Sequence, residues 1–186
     1  VPINKLWISS EGNLIESTNN ITLARSFYKC VFVHSTYYNG NLGGLAGADS
    51  KCQTLANTAG FSGTYKAWLS DANTNAKDRL VQSAVSYRLR DFTKIADNWA
   101  DLTDGSLDAS ISMNVYGDPN ISTYVWTATS SSGNKAITGD VCANWTTGSP
   151  VSQVYYGYTN TTDNKWTIDT FTFLCDSSLT IYCFEQ

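Results

Sequence analysis

The side chains able to do chemistry are few, and the cysteines come first. There are five, Cys30, Cys52, Cys142, Cys175 and Cys183, and none forms Cys-x-x-Cys. The single histidine is His34. A zinc site built from the usual donors would have to gather widely spaced thiols. Disulfides fit better and imply an oxidising compartment. The odd count leaves one thiol over, or pairs it with another molecule. Any Ser- or Cys-based triad would have to use His34 as its base. That residue sits in residues 30–36, a β-branched and aromatic run that reads as a strand, so a structural strand histidine is the expected role. No Gly-x-Ser-x-Gly elbow and no phosphate loop occurs. No pair of carboxylates stands out as a glycosidase would require. Asp97, Asp101, Asp104 and Asp108 gather around Gly105, but their spacing is not that of an EF-hand loop. The expectation is therefore no enzyme, with no catalytic residue, no metal and no cofactor.

Two groups of residues suit recognition instead. Arg88, Arg90 and Lys94, interleaved with Tyr87 and Phe92, form the densest positive stretch. Strand alternation would put Arg88 and Arg90 on one face, where they would meet sulfated glycans or acidic protein surfaces. The plainer reading is a solvated strand edge that resists pairing with another chain. The second group is aromatic: Tyr37 and Tyr38 in one loop, and Tyr155, Tyr156 and Tyr158 in a later run, with Tyr156 and Tyr158 on one face. Tyrosine offers large contact area at low entropic cost. The formal net charge is −4 and no long basic run exists, which argues against nucleic acid as a partner.

The elements that must position these groups follow from periodicity. After the strand at 30–36 comes a turn-rich loop, Tyr37 to Gly44. Ala48, Cys52, Leu55, Ala56 and Ala59 then recur at helical spacing, with Gly60 where a left-handed cap belongs. Residues 65–69 read as a short strand. Residues 75–85 read as a second helix with Ala76, Leu80, Ala84 and Val81 on its apolar stripe. Beyond residue 86, short strands alternate with Gly, Asp and Asn turns, among them 125–127, 154–156 and 180–184. Helices early and strands late predict an α+β fold. The 186 residues suit one domain: an extension over 1–28, where Trp7 and Ile8 are the possible anchors, and a folded unit over 29–186. No apolar run approaches the roughly 18 residues of a membrane span.

Several strings resemble one family when taken together. Asn39-Gly40-Asn41-Leu42-Gly43-Gly44-Leu45-Ala46-Gly47-Ala48-Asp49 leads into the helix carrying Cys52. Gly63-Thr64-Tyr65-Lys66-Ala67-Trp68-Leu69-Ser70, Asn98-Trp99-Ala100-Asp101-Leu102 and Val125-Trp126-Thr127 follow. Cys142-Ala143-Asn144-Trp145-Thr146 and the terminal Ile181-Tyr182-Cys183-Phe184-Glu185-Gln186 complete the set. This pattern resembles the leptospiral endostatin-like outer-surface proteins, in the endostatin-like branch of the C-type lectin fold. The resemblance implies two helices on short, twisted, mostly antiparallel strands. It also implies nested disulfides, Cys52–Cys183 and Cys142–Cys175, with Cys30 as the thiol outside both; the spacing alone leaves all three pairings of four cysteines open. Calcium-dependent lectins carry a Glu-Pro-Asn-like tripeptide after the Val-Trp strand. Here Asp118-Pro119-Asn120 precedes Val125-Trp126, so it reads as a turn.

The function this resemblance implies is that of a bacterial surface adhesin. Its expected partners are the host matrix proteins laminin and fibronectin, with complement factor H, plasminogen and sulfated glycans as further ones. The expected location is the cell surface and outer membrane, or the secreted fraction. Since Val1 is not an initiator Met, an export signal or lipid-anchor segment is expected outside these residues. The competing readings are a calcium-independent carbohydrate-binding lectin domain and a structural domain of an envelope protein.

Overall fold

The structure is a computed structural model. It describes residues 27–136 and 140–186 and, by backbone alone, two short strands ahead of them. Those are β1 (Leu6–Ile8) and β2 (Leu14–Glu16), an antiparallel pair. The first half of the main unit holds β3 (Tyr28–Val33), α1 (Gly44–Thr58), β4 (Tyr65–Ala67), α2 (Ala76–Arg79), β5 (Ser86–Arg88), β6 (Lys94–Ala96) and α3 (Trp99–Leu102). The second half holds β7 (Tyr124–Trp126), α4 (Val141–Trp145), β8 (Gln153–Tyr158), a 3-10 turn (Asn164–Trp166), β9 (Thr172–Leu174) and β10 (Thr180–Glu185). The fold is mixed α+β, with eight strands in one sheet. The order is β6-β5-β3-β10-β7-β8-β9, and β4 also pairs with β10.

β10 is the hinge of this arrangement. Its sequence Thr-Ile-Tyr-Cys-Phe-Glu is buried at every position. It pairs antiparallel with β3 along one edge, while β7, parallel, and β4, antiparallel, share the other. Because successive side chains point to opposite faces, the strands feed two separate cores. Ile181 and Cys183 of β10, Cys30 and Phe32 of β3, and Trp126 of β7 enter one; α1 covers it with Ala48, Cys52 and Ala56. Tyr182 and Phe184, Val31 and Val33, and Val125 enter the other, where Leu102, Ile111 and Trp166 pack. A strand covered on both faces and paired on both edges carries no alternation of polar residues.

Cys52 joins Cys183 across 131 residues, and Cys142 joins Cys175 across 33, with Cα–Cα distances of 5.5 and 5.6 Å. In the chain-entropy account, loops of these lengths contribute about 5 and about 4 kcal/mol respectively. Cys30 is buried and lies outside both bridges.

Three expectations need correction. Among the described residues four helical segments are present, not two, and only α1 is long. The helix expected over 75–85 stops after one turn, at Arg79. There the guanidinium leaves the helix axis to donate to the Ala67 carbonyl (2.6 Å) and to pair with the Asp49 carboxylate. Leu80 turns extended, and the Val81 amide donates to the Gln186 side chain at 2.9 Å, not to a helical carbonyl. Val81, expected on the buried stripe, is 53% exposed. Tyr28, the first residue of β3, pairs with Ser86 of β5.

α4 is a left-handed turn. Five consecutive residues, Val141 to Trp145, have φ between 49° and 65°, and none is glycine. Each such residue costs roughly 1–2 kcal/mol relative to the right-handed form. The turn is held from several sides. Trp145 is fully buried, and its indole N–H donates to the Ser70 carbonyl at 2.8 Å. Its own carbonyl accepts from the amides of Leu42 and Gly43. The Asn144 side-chain oxygen accepts from the Ala72 amide, and Cys142 is tied to Cys175.

Candidate binding surface

The basic stretch is largely committed within the fold. Lys94 forms ion pairs with Asp97 (2.7 Å) and Asp108 (2.9 Å), and these hydrogen bonds raise its pKa. Arg88 donates to the Ser86 hydroxyl and to the Phe92 carbonyl. Arg90 donates to the Val115 carbonyl at 2.8 Å and lies 5.2 Å over the Phe61 ring. Arg88 and Lys94 face each other across β5 and β6, but the carboxylates beside Lys94 cancel its charge. Arg88 and Arg90 each donate to a backbone carbonyl.

The tyrosines divide by exposure. Tyr37 is 52% exposed. Tyr38 is half-buried; its ring packs edge-on to His34 at 5.2 Å, and the Lys51 ammonium lies 4.9 Å above it. Tyr156 is only 7% exposed and belongs to the core. Burial raises its pKa, and the neighbouring Asp169 and Tyr124 add to that. Tyr158 is half-buried, with its hydroxyl 2.6 Å from that of Ser122.

Sheet register turns Tyr156 and Tyr158 into part of a larger aromatic face. Tyr124 pairs with Tyr158 across β7 and β8, Trp126 with Tyr156, and Val154 with Phe173 of β9. The Tyr124 ring therefore meets three others, Tyr156 at 5.1 Å, Tyr158 at 5.3 Å and Phe173 at 5.1 Å. Tyr156 and Phe173 are closer still, at 4.5 Å. These are the edge-on and tilted contacts that aromatic quadrupoles favour. The face runs from the buried Trp126 outward to Tyr124, which is 44% exposed. Phe171, just before β9, is 71% exposed. Gly157 lets this part of the sheet close on its other side, since a Cβ there would collide with the Trp166 carbonyl. Sequence reasoning missed Tyr124, Phe171 and Phe173. The available signal was the alternation Tyr124-Val125-Trp126, which places Tyr124 on the same face as a core tryptophan.

The remaining chemistry is local. His34 is buried, and its Nδ1 accepts from the Thr36 amide at 3.0 Å. Asp118 is held by Asn114, whose side chain donates to its carboxylate and accepts from its amide. Among the described residues no group of three or more His, Cys, Asp or Glu side chains is placed to hold a metal ion. No helix of the described residues is long and apolar enough to cross a membrane.

What fold and surface define together is a disulfide-bonded α+β domain with an aromatic face on the outer half of its sheet. The chain belongs to the family described as a protein of unknown function, DUF1554, whose model matches residues 35–164. A search of curated proteins gave no match.

Proposed function

We propose that this domain is a bacterial surface adhesin of the endostatin-like, C-type-lectin-like kind. It is displayed on the cell surface or secreted, and it binds host extracellular-matrix proteins such as laminin and fibronectin. Serum proteins, factor H and plasminogen, are its further partners. The observation that carries this reading is the aromatic face of β7, β8 and β9, with Tyr124 at its exposed end. Exposed aromatics backed by buried ones make rigid anchors, and such residues dominate the energy of protein interfaces. The two disulfides and the doubly covered β10 support that face, so little ordering entropy is lost on binding. The committed state of Arg88, Arg90 and Lys94 moves the expected contact away from the basic stretch.

The test is biosensor binding of the domain to laminin, fibronectin, factor H and plasminogen, across a salt series with and without chelator. Saturable binding that ignores chelator and changes little with salt is expected of an aromatic interface. Binding that collapses with salt would return the contact to the arginines. No binding to any of the four at micromolar concentration would sink the adhesin reading. Chelator-insensitive signals on a glycan array would then favour the lectin reading.

A further inference from the structure

We infer that the groove along α1 is a binding site for an acidic sugar, a hydroxylated ring bearing one carboxylate. An open groove of about 470 Å³ runs between α1 and the segment leaving β3, within the range of small-molecule sites. On its helix wall stand Ser50, Thr54 and Thr58. Four residues apart, they lie on one helix face with about 6 Å of rise between each. Each hydroxyl both donates and accepts. The Thr58 hydroxyl already donates to the Thr54 carbonyl at 2.9 Å, which leaves it to act as an acceptor. His34 and Tyr38 form the opposite wall.

The electrostatics of the groove select the ligand. Lys51 is the only charged residue among those lining it. Its ammonium rests over the Tyr38 ring, and among the described residues it has no carboxylate within ion-pair distance. His34 is buried in the groove wall, and burial disfavours its charged form. The groove thus presents one cation, a row of neutral hydroxyls, a neutral imidazole and an aromatic ring. A single carboxylate answers Lys51, and a polyhydroxylated ring answers the rest. A neutral sugar leaves the ammonium unmatched, and a sulfated polymer needs more cations than the groove supplies. Uronic and sialic acids meet all the requirements. The groove shares no residue with the aromatic face of β7–β9, so this site and the adhesin reading stand or fall separately.

NMR amide shifts of the whole chain, titrated with sodium glucuronate, glucose, acetate and N-acetylneuraminate, test the inference. Glucuronate and glucose differ only in the carboxylate. Saturable shifts confined to residues 34–38 and 50–58 are expected with glucuronate or N-acetylneuraminate. Glucose should bind about fivefold more weakly, the scale of one partly exposed ion pair. Lys51→Gln should erase that preference while keeping the spectrum of the folded protein. The methyl glycoside of glucuronate binding as well as the free acid would identify a glycan terminus as the source; the free acid binding alone would identify a free sugar acid. Equal binding of glucose, acetate reproducing the shifts, a preference that survives Lys51→Gln, or no shifts in the groove would each overturn the site.

Discussion

His34 is the one side chain whose charge changes in the physiological range, and its surroundings keep it neutral. Burial pushes its pKa below the ordinary 6.5, and the nearby Lys51 charge acts in the same direction. The Thr36 amide donates to Nδ1, so the neutral ring carries its proton on Nε2, 3.3 Å from the Tyr38 hydroxyl. The unfolded chain therefore takes up this proton first as pH falls. Stability from His34 is complete above pH 6.5 and declines as pH drops from there through the lowered native value. Denaturant titrations over that window should show the decline, and the imidazole NMR resonance should titrate below 6.5. A midpoint at or above 6.5 would contradict the account. Tyr182 is a second residue-scale case. It is fully buried, and its hydroxyl has no hydrogen-bond partner among the described residues. Burial raises its pKa well above the usual tyrosine value. Removing an unpaired buried hydroxyl recovers desolvation energy, so Tyr182→Phe should leave stability unchanged or raise it by about 1 kcal/mol. A loss of that size in urea unfolding would mean that the hydroxyl has a partner.

At the scale of elements, α4 gives the sharpest prediction. Ala143 sits mid-turn with φ 50°, and its side chain is exposed. Glycine there relieves roughly 1–2 kcal/mol of left-handed strain and costs roughly 0.5–1 kcal/mol in backbone entropy. Ala143→Gly should therefore raise the unfolding free energy by about 0.5–1 kcal/mol. In an ordinary right-handed helix the same change lowers it by about 1 kcal/mol, and that result would refute the left-handed turn. The sequence of this turn, Val-Cys-Ala-Asn-Trp, contains no glycine to announce it. What produces it is distant: Ser70, Ala72 and Leu42 hold it by hydrogen bonds. The same reason explains which elements were legible. α1 is written in the helical spacing from Ala48 to Ala59, and β3 and β10 in the β-branched and aromatic runs at 30–36 and 180–184. α2 is written partly in Asp49 and Ala67, which stop it at Arg79. The aromatic face needed the register of β7, β8 and β9: Tyr156 and Tyr158 were readable as a pair and Tyr124 through its alternation with Trp126, while their meeting with Phe173 was not.

For the molecule as a whole, two covalent ties and one central strand fix how the surfaces sit. Cys52–Cys183 fastens α1 to β10, the strand that feeds both cores. Cys142–Cys175 fastens α4 to the segment just after β9. Replacing Cys52 and Cys183 together by Ala should cost about 4–5 kcal/mol, and replacing Cys142 and Cys175 about 1 kcal/mol less, by the difference in loop length. Urea midpoints of the two double variants measure this, and the reverse order would show that native strain, not loop entropy, sets their contributions. The aromatic face rests on this frame, and it carries the proposed function. The most direct test compares Tyr124→Ala with Arg88→Ala and Arg90→Ala for affinity to whichever of laminin, fibronectin, factor H or plasminogen the domain binds. The account predicts that Tyr124→Ala weakens binding about 30-fold, the scale of an interface hot spot near 2 kcal/mol, while each arginine variant stays within about twofold. Wild-type affinity in Tyr124→Ala together with a large loss in the arginine variants would contradict it and place the interface on β5.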